Sequence, residues 1–172
     1  IMRCLKPKGI PIKINEKTYY IKFTLDLIDE LQTRVDMPIN KLIVMAADKR
    51  FSENAIRLII LCATGERIET FNDGELEKYS VLIISAYLEQ FRFKGMEEEI
   101  KKVKEKPKEE PEYEFVDIEY WFYIGTVQLG FTQDEVWNMT LGQILTIRNQ
   151  DAKYKGLKIE NKEVIIDDVI PY

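Results

Sequence analysis

The chain has 172 residues, of which 45% are hydrophobic, so it can form one ordinary domain or two small ones with a buried core. Its 30 acidic and 25 basic residues give a net charge of -5, which argues against a protein that binds nucleic acid by neutralising phosphates. Histidine, the commonest general base and metal ligand, is absent, no apolar run could cross a membrane, and the N-terminal residues do not form a signal peptide. We therefore expect no cofactor, no metal, no nucleic acid and no membrane partner.

The first predicted element is a small β-hairpin. Ile12 and Ile14 alternate with lysines, a polar Asn15-Glu16-Lys17 segment follows, and Tyr20 to Phe23 supplies the second strand.

Helical spacing of apolar residues replaces the alternation after Thr24 and continues to about residue 94. The signals that mark successive helix starts are Thr24, Pro38, Ser52 and the pair Asn72 and Glu75. The last of these helices is predicted over about residues 75–94. Residues 1–94 are therefore predicted to form a hairpin followed by a helical bundle.

A charged block at residues 95–111, with two prolines and few large apolar side chains, cannot bury enough surface to fold alone. It is predicted to link two unlike modules, residues 1–94 with net charge +2 and residues 112–172 with net charge -6. The predicted fold class is mainly α with a minor β component.

The second module opens with an aromatic-rich segment, predicted to be one helix over residues 113–129 that ends at Gly130. Two neighbouring apolar stripes run along it, the first formed by Phe115, Ile118 and Phe122 and the second by Val116, Tyr120, Tyr123 and Val127. A helix that is apolar around most of its girth is typical of burial on two sides. Residues 157–166 could form a terminal hairpin, or the end could be a mobile tail.

Two helix starts only eight residues apart follow Gly130. Thr132 with Glu135, and Thr140 with Gln143, have the spacing of capping boxes. The helix between them is too short to be stable alone, so packing must hold it. Trp137 is expected to pin the flanking helices together, or to be exposed as an anchor for a partner.

These capping boxes belong to a longer series of residues. Its members are Gly130, Phe131, Thr132, Glu135, Trp137, Met139, Thr140, Gln143 and Leu145. The series resembles the C-terminal signature of phage tail assembly chaperones, in which a turn, an acid and an aromatic residue precede a Met/Leu-Thr-Pro start of a helix. Leu141 stands where that pattern has proline. The hairpin and bundle are similar in architecture to the N-terminal part of such proteins from phages of Gram-positive bacteria.

The resemblance implies a non-enzymatic protein that acts in the bacterial cytoplasm and is not part of the mature virion. It implies that the chain keeps the long, helical tape-measure protein soluble and helps to recruit the tail-tube protein, and a homo-oligomer is plausible for a protein that coats such a client. A chaperone of this kind needs apolar surface to cover a helix. The candidate partner-binding residues are Tyr120, Trp121, Phe122, Tyr123, Trp137 and Leu141.

Two other classes of protein remain as alternatives. The segment from Gly130 to Asn149 loosely mimics a helix-turn-helix of a DNA-binding regulator, but its second helix carries Arg148 as its only base. An enzyme would need a motif that the chain does not show, and the acidic pair Asp167-Asp168 is typical of a solvated surface.

Overall fold

The computed structural model of the protein describes residues 9–72, 74–90 and 113–156. A two-stranded antiparallel hairpin, β1 (Ile10–Ile14) and β2 (Lys17–Ile21), comes first. The helices that follow are α1 (Leu25–Val35), α2 (Ile39–Ala47), α3 (Ser52–Thr64), α4 (Glu75–Glu89), α5 (Ile118–Tyr123), a π-helix (Ile124–Gln128), α6 (Gln133–Trp137) and α7 (Leu141–Tyr154). The predicted fold class, mainly α with a minor β component, is confirmed.

The predicted hairpin is present, but its second strand begins at Lys17 and ends at Ile21, so the turn has two residues instead of the predicted three. Asn15 and Glu16 both have positive φ, 47° and 67°, as the central residues of a type I′ turn require. The strands pair from Ile10 opposite Ile21 to Ile14 opposite Lys17. This register turns Ile12, Ile14 and Ile21 into the core, in agreement with the period of two along the strands.

The helices α1 and α3 begin in two different ways. Thr24 caps α1 as predicted, and its Oγ1 accepts from the backbone N–H of Leu27 at 3.3 Å. The prediction that Ser52 caps the third helix is wrong, because Ser52 is the first residue of α3 and Phe51 holds the cap position without a side-chain bond. The backbone N–H of Ser52 instead donates to the carbonyl oxygen of Asp48 at 2.9 Å, so a tight turn leads into the helix.

The fourth helix begins at Glu75 as predicted, but the prediction that Asn72 caps it is wrong. The carboxylate of Glu75 accepts from the backbone N–H of Asn72 at 2.9 Å, but Gly74 holds the cap position with φ of 79°. The helix is described to Glu89, and its predicted continuation over 91–94 lies outside the described residues.

The aromatic helix predicted over residues 113–129 is shorter and is interrupted. Residues 113–117 have no regular secondary structure, and α5 begins only after Asp117, whose Oδ1 accepts from the N–H of Tyr120 at 2.9 Å. Just before this cap, the Gln32 side chain binds both backbone groups of Val116, so the chain enters the helix from an extended segment. Periodicity predicted the helix but could not reveal this contact.

From Ile124 the α-helix widens into a π-helix, in which backbone N–H groups reach carbonyls five residues earlier. The N–H of Leu129 donates to the oxygen of Ile124 at 3.0 Å. Gly125 lies in this wide turn against Val136 of α6, so close that a Cβ on Gly125 would stand 2.6 Å from Val136 Cγ2. The glycine therefore allows α6 to pack against the backbone of the π-helix.

A single hydrophobic core joins the parts of the chain before and after the predicted linker. Members from the second part are Ile124, Val136, Leu141 and Ile144. Backbone contacts accompany this packing: the N–H of Leu25 donates to the oxygen of Met139 at 2.8 Å, and Thr24 forms an antiparallel bridge with Thr140.

Three of the sequence predictions concern residues that the structure does not describe. The linker at 95–111 and the terminal hairpin at 157–166 lie outside the described residues, as does the acidic pair Asp167-Asp168. The division into modules 1–94 and 112–172 stays a prediction. Among the residues that are described, no helix is both long and apolar enough to cross a membrane.

Candidate partner-binding surface

One face of α5 and the π-helix carries large apolar side chains that nothing described covers. Tyr120, Tyr123 and Val127 are spaced by three and four residues, so they lie on the same side of the helix. Their exposed fractions are 42%, 52% and 64%. We call these three residues the exposed stripe.

The other side of α5 packs against α6. The rings of Phe122 and Trp137 lie with their centroids 4.9 Å apart, and both side chains are partly buried against the core. Trp121 is also partly buried and meets Tyr120 edge to face at 5.3 Å. Because aromatic pairs at these distances add to the energy of area burial, this layer holds the stripe in one orientation.

The two predicted capping boxes are both present. Thr132 and Glu135 exchange their reciprocal bonds at 2.9 and 3.3 Å, and Thr140 and Gln143 do so at 2.9 and 3.2 Å. The backbone N–H and the hydroxyl of Thr132 lower the pKa of Glu135. Gly130, with φ of 75°, makes the turn before the first box.

The short helix α6 has the support that its length requires. Its buried Val136 packs against Gly125, and Trp137 packs against Phe122. The two caps then fix where α6 begins and where α7 takes over. Because two helix starts lie eight residues apart, the chain packs α6 against α5 and the π-helix and then begins α7, whose first turn belongs to the core.

The second cap is expected to contribute more to stability than the first. Thr140 is buried and also pairs with Thr24, whereas Thr132 is exposed. We expect Thr140→Ala to lower the free energy of unfolding by about 1–2 kcal/mol, the upper part of the range for a lost cap. Urea denaturation of Thr140→Ala beside Thr132→Ala measures the difference, and an equal or larger loss for Thr132→Ala would contradict it.

The six candidate partner-binding residues divide between surface and interior. Tyr120 and Tyr123 are exposed, and the partly buried ones are Trp121, Phe122 and Trp137. Leu141 is only 8% exposed and belongs to the core, so its side chain is not available to a partner. Val127 is part of the surface but was not among the candidates, although it lies on the stripe that the periodicity of the sequence defines.

Further residues of the motif also serve mainly to pack the structure. Phe131 and Met139 are partly buried against the core, and Leu145 is half-buried in α7. The first turn of α7, residues 141–144, is buried. A DNA-recognition helix presents its first turn to the base edges, so this turn of α7 is not available for such contacts.

The charged residues of the segment that carries the exposed stripe are of one sign. Residues 113–147 include five acidic residues and no basic residue. Asp117 and Glu119, at the start of α5, are both exposed. Within the described ranges, no group of three or more carboxylate or thiol side chains could hold a metal ion.

Comparisons with protein-family models, with curated proteins and with solved structures find no match to this chain.

Proposed function

We propose that this protein is a non-enzymatic tail assembly chaperone of a phage or prophage, which binds the tape-measure protein. One observation carries the proposal: the motif from Gly130 to Leu145 folds into a support that leaves Tyr120 and Tyr123 exposed. The resemblance of that motif to tail assembly chaperones supplies the identity of the client.

The physical basis is the cost of exposing apolar rings to water. Two exposed tyrosines and an exposed valine on one helical face offer an apolar strip with polar hydroxyl groups, which suits a transient helical client. Burial of such rings in an interface typically supplies a large share of the binding energy. We infer that the client helix lies along the exposed stripe and is thereby kept from aggregating.

The remaining parts of the proposal follow from the same role. Recruitment of the tail-tube protein would deliver subunits to the client, and several copies of the chain would be needed to cover a long client. The protein would act in the cytoplasm of the bacterial host and leave before the virion is complete.

The test is co-expression with the tape-measure protein, followed by a pull-down and a solubility assay. We expect the wild-type chain to bring the client into the soluble fraction, and Tyr123→Ser to reduce the amount of soluble client several-fold without a change in urea midpoint. Tyr123 suits this test because its ring is half exposed, whereas polar substitutions of the partly buried Trp121 or Phe122 would also lower stability.

The matched control is Tyr20→Ser, which removes a tyrosine that is somewhat more exposed, 63% against 52% for Tyr123, from the outer face of the hairpin. Loss of client solubility with Tyr123→Ser but not with Tyr20→Ser is the expected pattern. A client that stays insoluble and unbound with the wild-type chain would overturn the proposed function. The DNA-binding alternative would regain support from submicromolar binding to generic duplex DNA with a steep dependence on salt.

A further inference from the structure

The exposed stripe combines apolar side chains with an acidic border. Glu119 lies one helical turn before Tyr123, at i and i+4, so its carboxylate and the ring share a face of α5. Asp117, at the N-cap, lies one turn before Tyr120. Both carboxylates are exposed, as is Glu114 in the segment that leads into the helix.

No positive charge from the same part of the sequence balances these carboxylates. The first basic residue after the stripe is Arg148, in the second half of α7, and none occurs from Tyr113 to Ile147. None of the salt bridges found among the described residues includes Glu114, Asp117 or Glu119. Within the described ranges, these three carboxylates therefore form no ion pair, and the border presents negative charge to a partner.

We propose that the exposed stripe selects an amphipathic helix whose apolar face is flanked by lysine or arginine. The apolar face would cover Tyr120, Tyr123 and Val127, and its basic flanks would meet Asp117 and Glu119. This inference rests on the proposed function, in which the stripe binds a helical client, and it adds the chemical class of the client segment. A neutral or acidic amphipathic helix would offer the same apolar area but would gain nothing from the border, or would be repelled by it.

Exposed ion pairs are individually weak and are screened by salt, so the selection should be modest and ionic-strength dependent. Each pair is worth at most about a five-fold change in affinity, and two or three pairs together suffice for roughly a ten-fold preference. The Debye length falls from about 10 Å at 0.1 M to about 3 Å at 1 M salt, which removes most of this attraction.

The experiment uses the full chain and two fluorescein-labelled 18-residue peptides, measured by fluorescence anisotropy. One peptide has leucine on one helical face and lysine elsewhere, and in the other every lysine is glutamate. We expect the Leu/Lys peptide to bind at least ten-fold more tightly at 0.05 M NaCl and to lose most of that advantage at 0.5 M NaCl. Glu119→Lys should weaken Leu/Lys binding about five-fold.

The matched control is Glu77→Lys, an exposed charge reversal on α4, which packs against α2, α3 and β1. If Glu77→Lys weakens binding as much as Glu119→Lys, only net charge matters and the inference is overturned. Equal binding of the two peptides, reduced by Tyr123→Ser, would also overturn it, while leaving the stripe as an apolar docking face. If neither peptide binds, the inference fails too, and co-expression with the tape-measure protein decides the proposed function separately.

Discussion

Gly125→Ala is expected to destabilise the protein by about 1–3 kcal/mol, the range for overpacking of a well-packed core. The added Cβ would stand 2.6 and 2.8 Å from the two methyl carbons of Val136, closer than any normal contact. Alanine is intrinsically the better helix former by about 1 kcal/mol, so the clash must outweigh a favourable change in propensity. Urea denaturation of both proteins measures the difference.

A second substitution separates the clash from other effects of the alanine. Val136→Ala removes the two methyl carbons, so Gly125→Ala should cost less in that background than in the wild type. The coupling energy of this double-mutant cycle is expected to be about 0.5–3 kcal/mol, as for residues in direct contact. A coupling energy near zero would show that α6 does not approach the π-helix at Gly125.

Gln32→Leu is expected to cost about 2–3 kcal/mol, because it leaves buried or half-buried backbone groups without partners. The Gln32 side chain is buried, donates to the oxygen of Val116 at 3.2 Å and accepts from its N–H at 2.9 Å. The same Oε1 accepts from the N–H of Ile39 at 3.4 Å. Leucine fills a similar volume but can satisfy none of these groups.

Both tryptophans of the chain, Trp121 and Trp137, follow the Val116 contact in sequence, so their fluorescence reports on that region. We expect Gln32→Leu to shift the urea midpoint of tryptophan fluorescence to lower concentration. Gln150→Leu, at an exposed glutamine of α7, is the control and should leave the midpoint within error. A urea midpoint of Gln32→Leu equal to that of the wild type would mean that water satisfies the backbone groups of Val116 and Ile39 without a loss of stability.

These two substitutions test contacts that also determine the orientation of the exposed stripe. Gln32 hydrogen-bonds the backbone of the segment before α5, and Gly125 allows Val136 of α6 to pack against the π-helix. If both contacts are needed for stability, α5 and the π-helix are held in one orientation, and the exposed rings form a preformed surface. A preformed surface loses less conformational entropy when it binds a client.

The sequence by itself determined the elements whose signals are contained within a few residues. The hairpin turn depends on Asn15 and Glu16, and each capping box depends on residues three apart, Thr132 with Glu135 and Thr140 with Gln143. Local hydrogen bonds of this kind need no distant partner, so a short stretch of sequence is sufficient to predict them.

Only the tertiary structure decided where the aromatic segment is helical and which of its rings meet water. The backbone of Val116 is hydrogen-bonded by the side chain of Gln32, 84 residues away in sequence, and the π-helix packs against Val136 at Gly125. Aromatic composition could not separate exposed Tyr123 from half-buried Phe122, because both suit a helix that is apolar around most of its girth. Exposure depends on which face another element covers, and that follows from contacts between residues far apart in the chain.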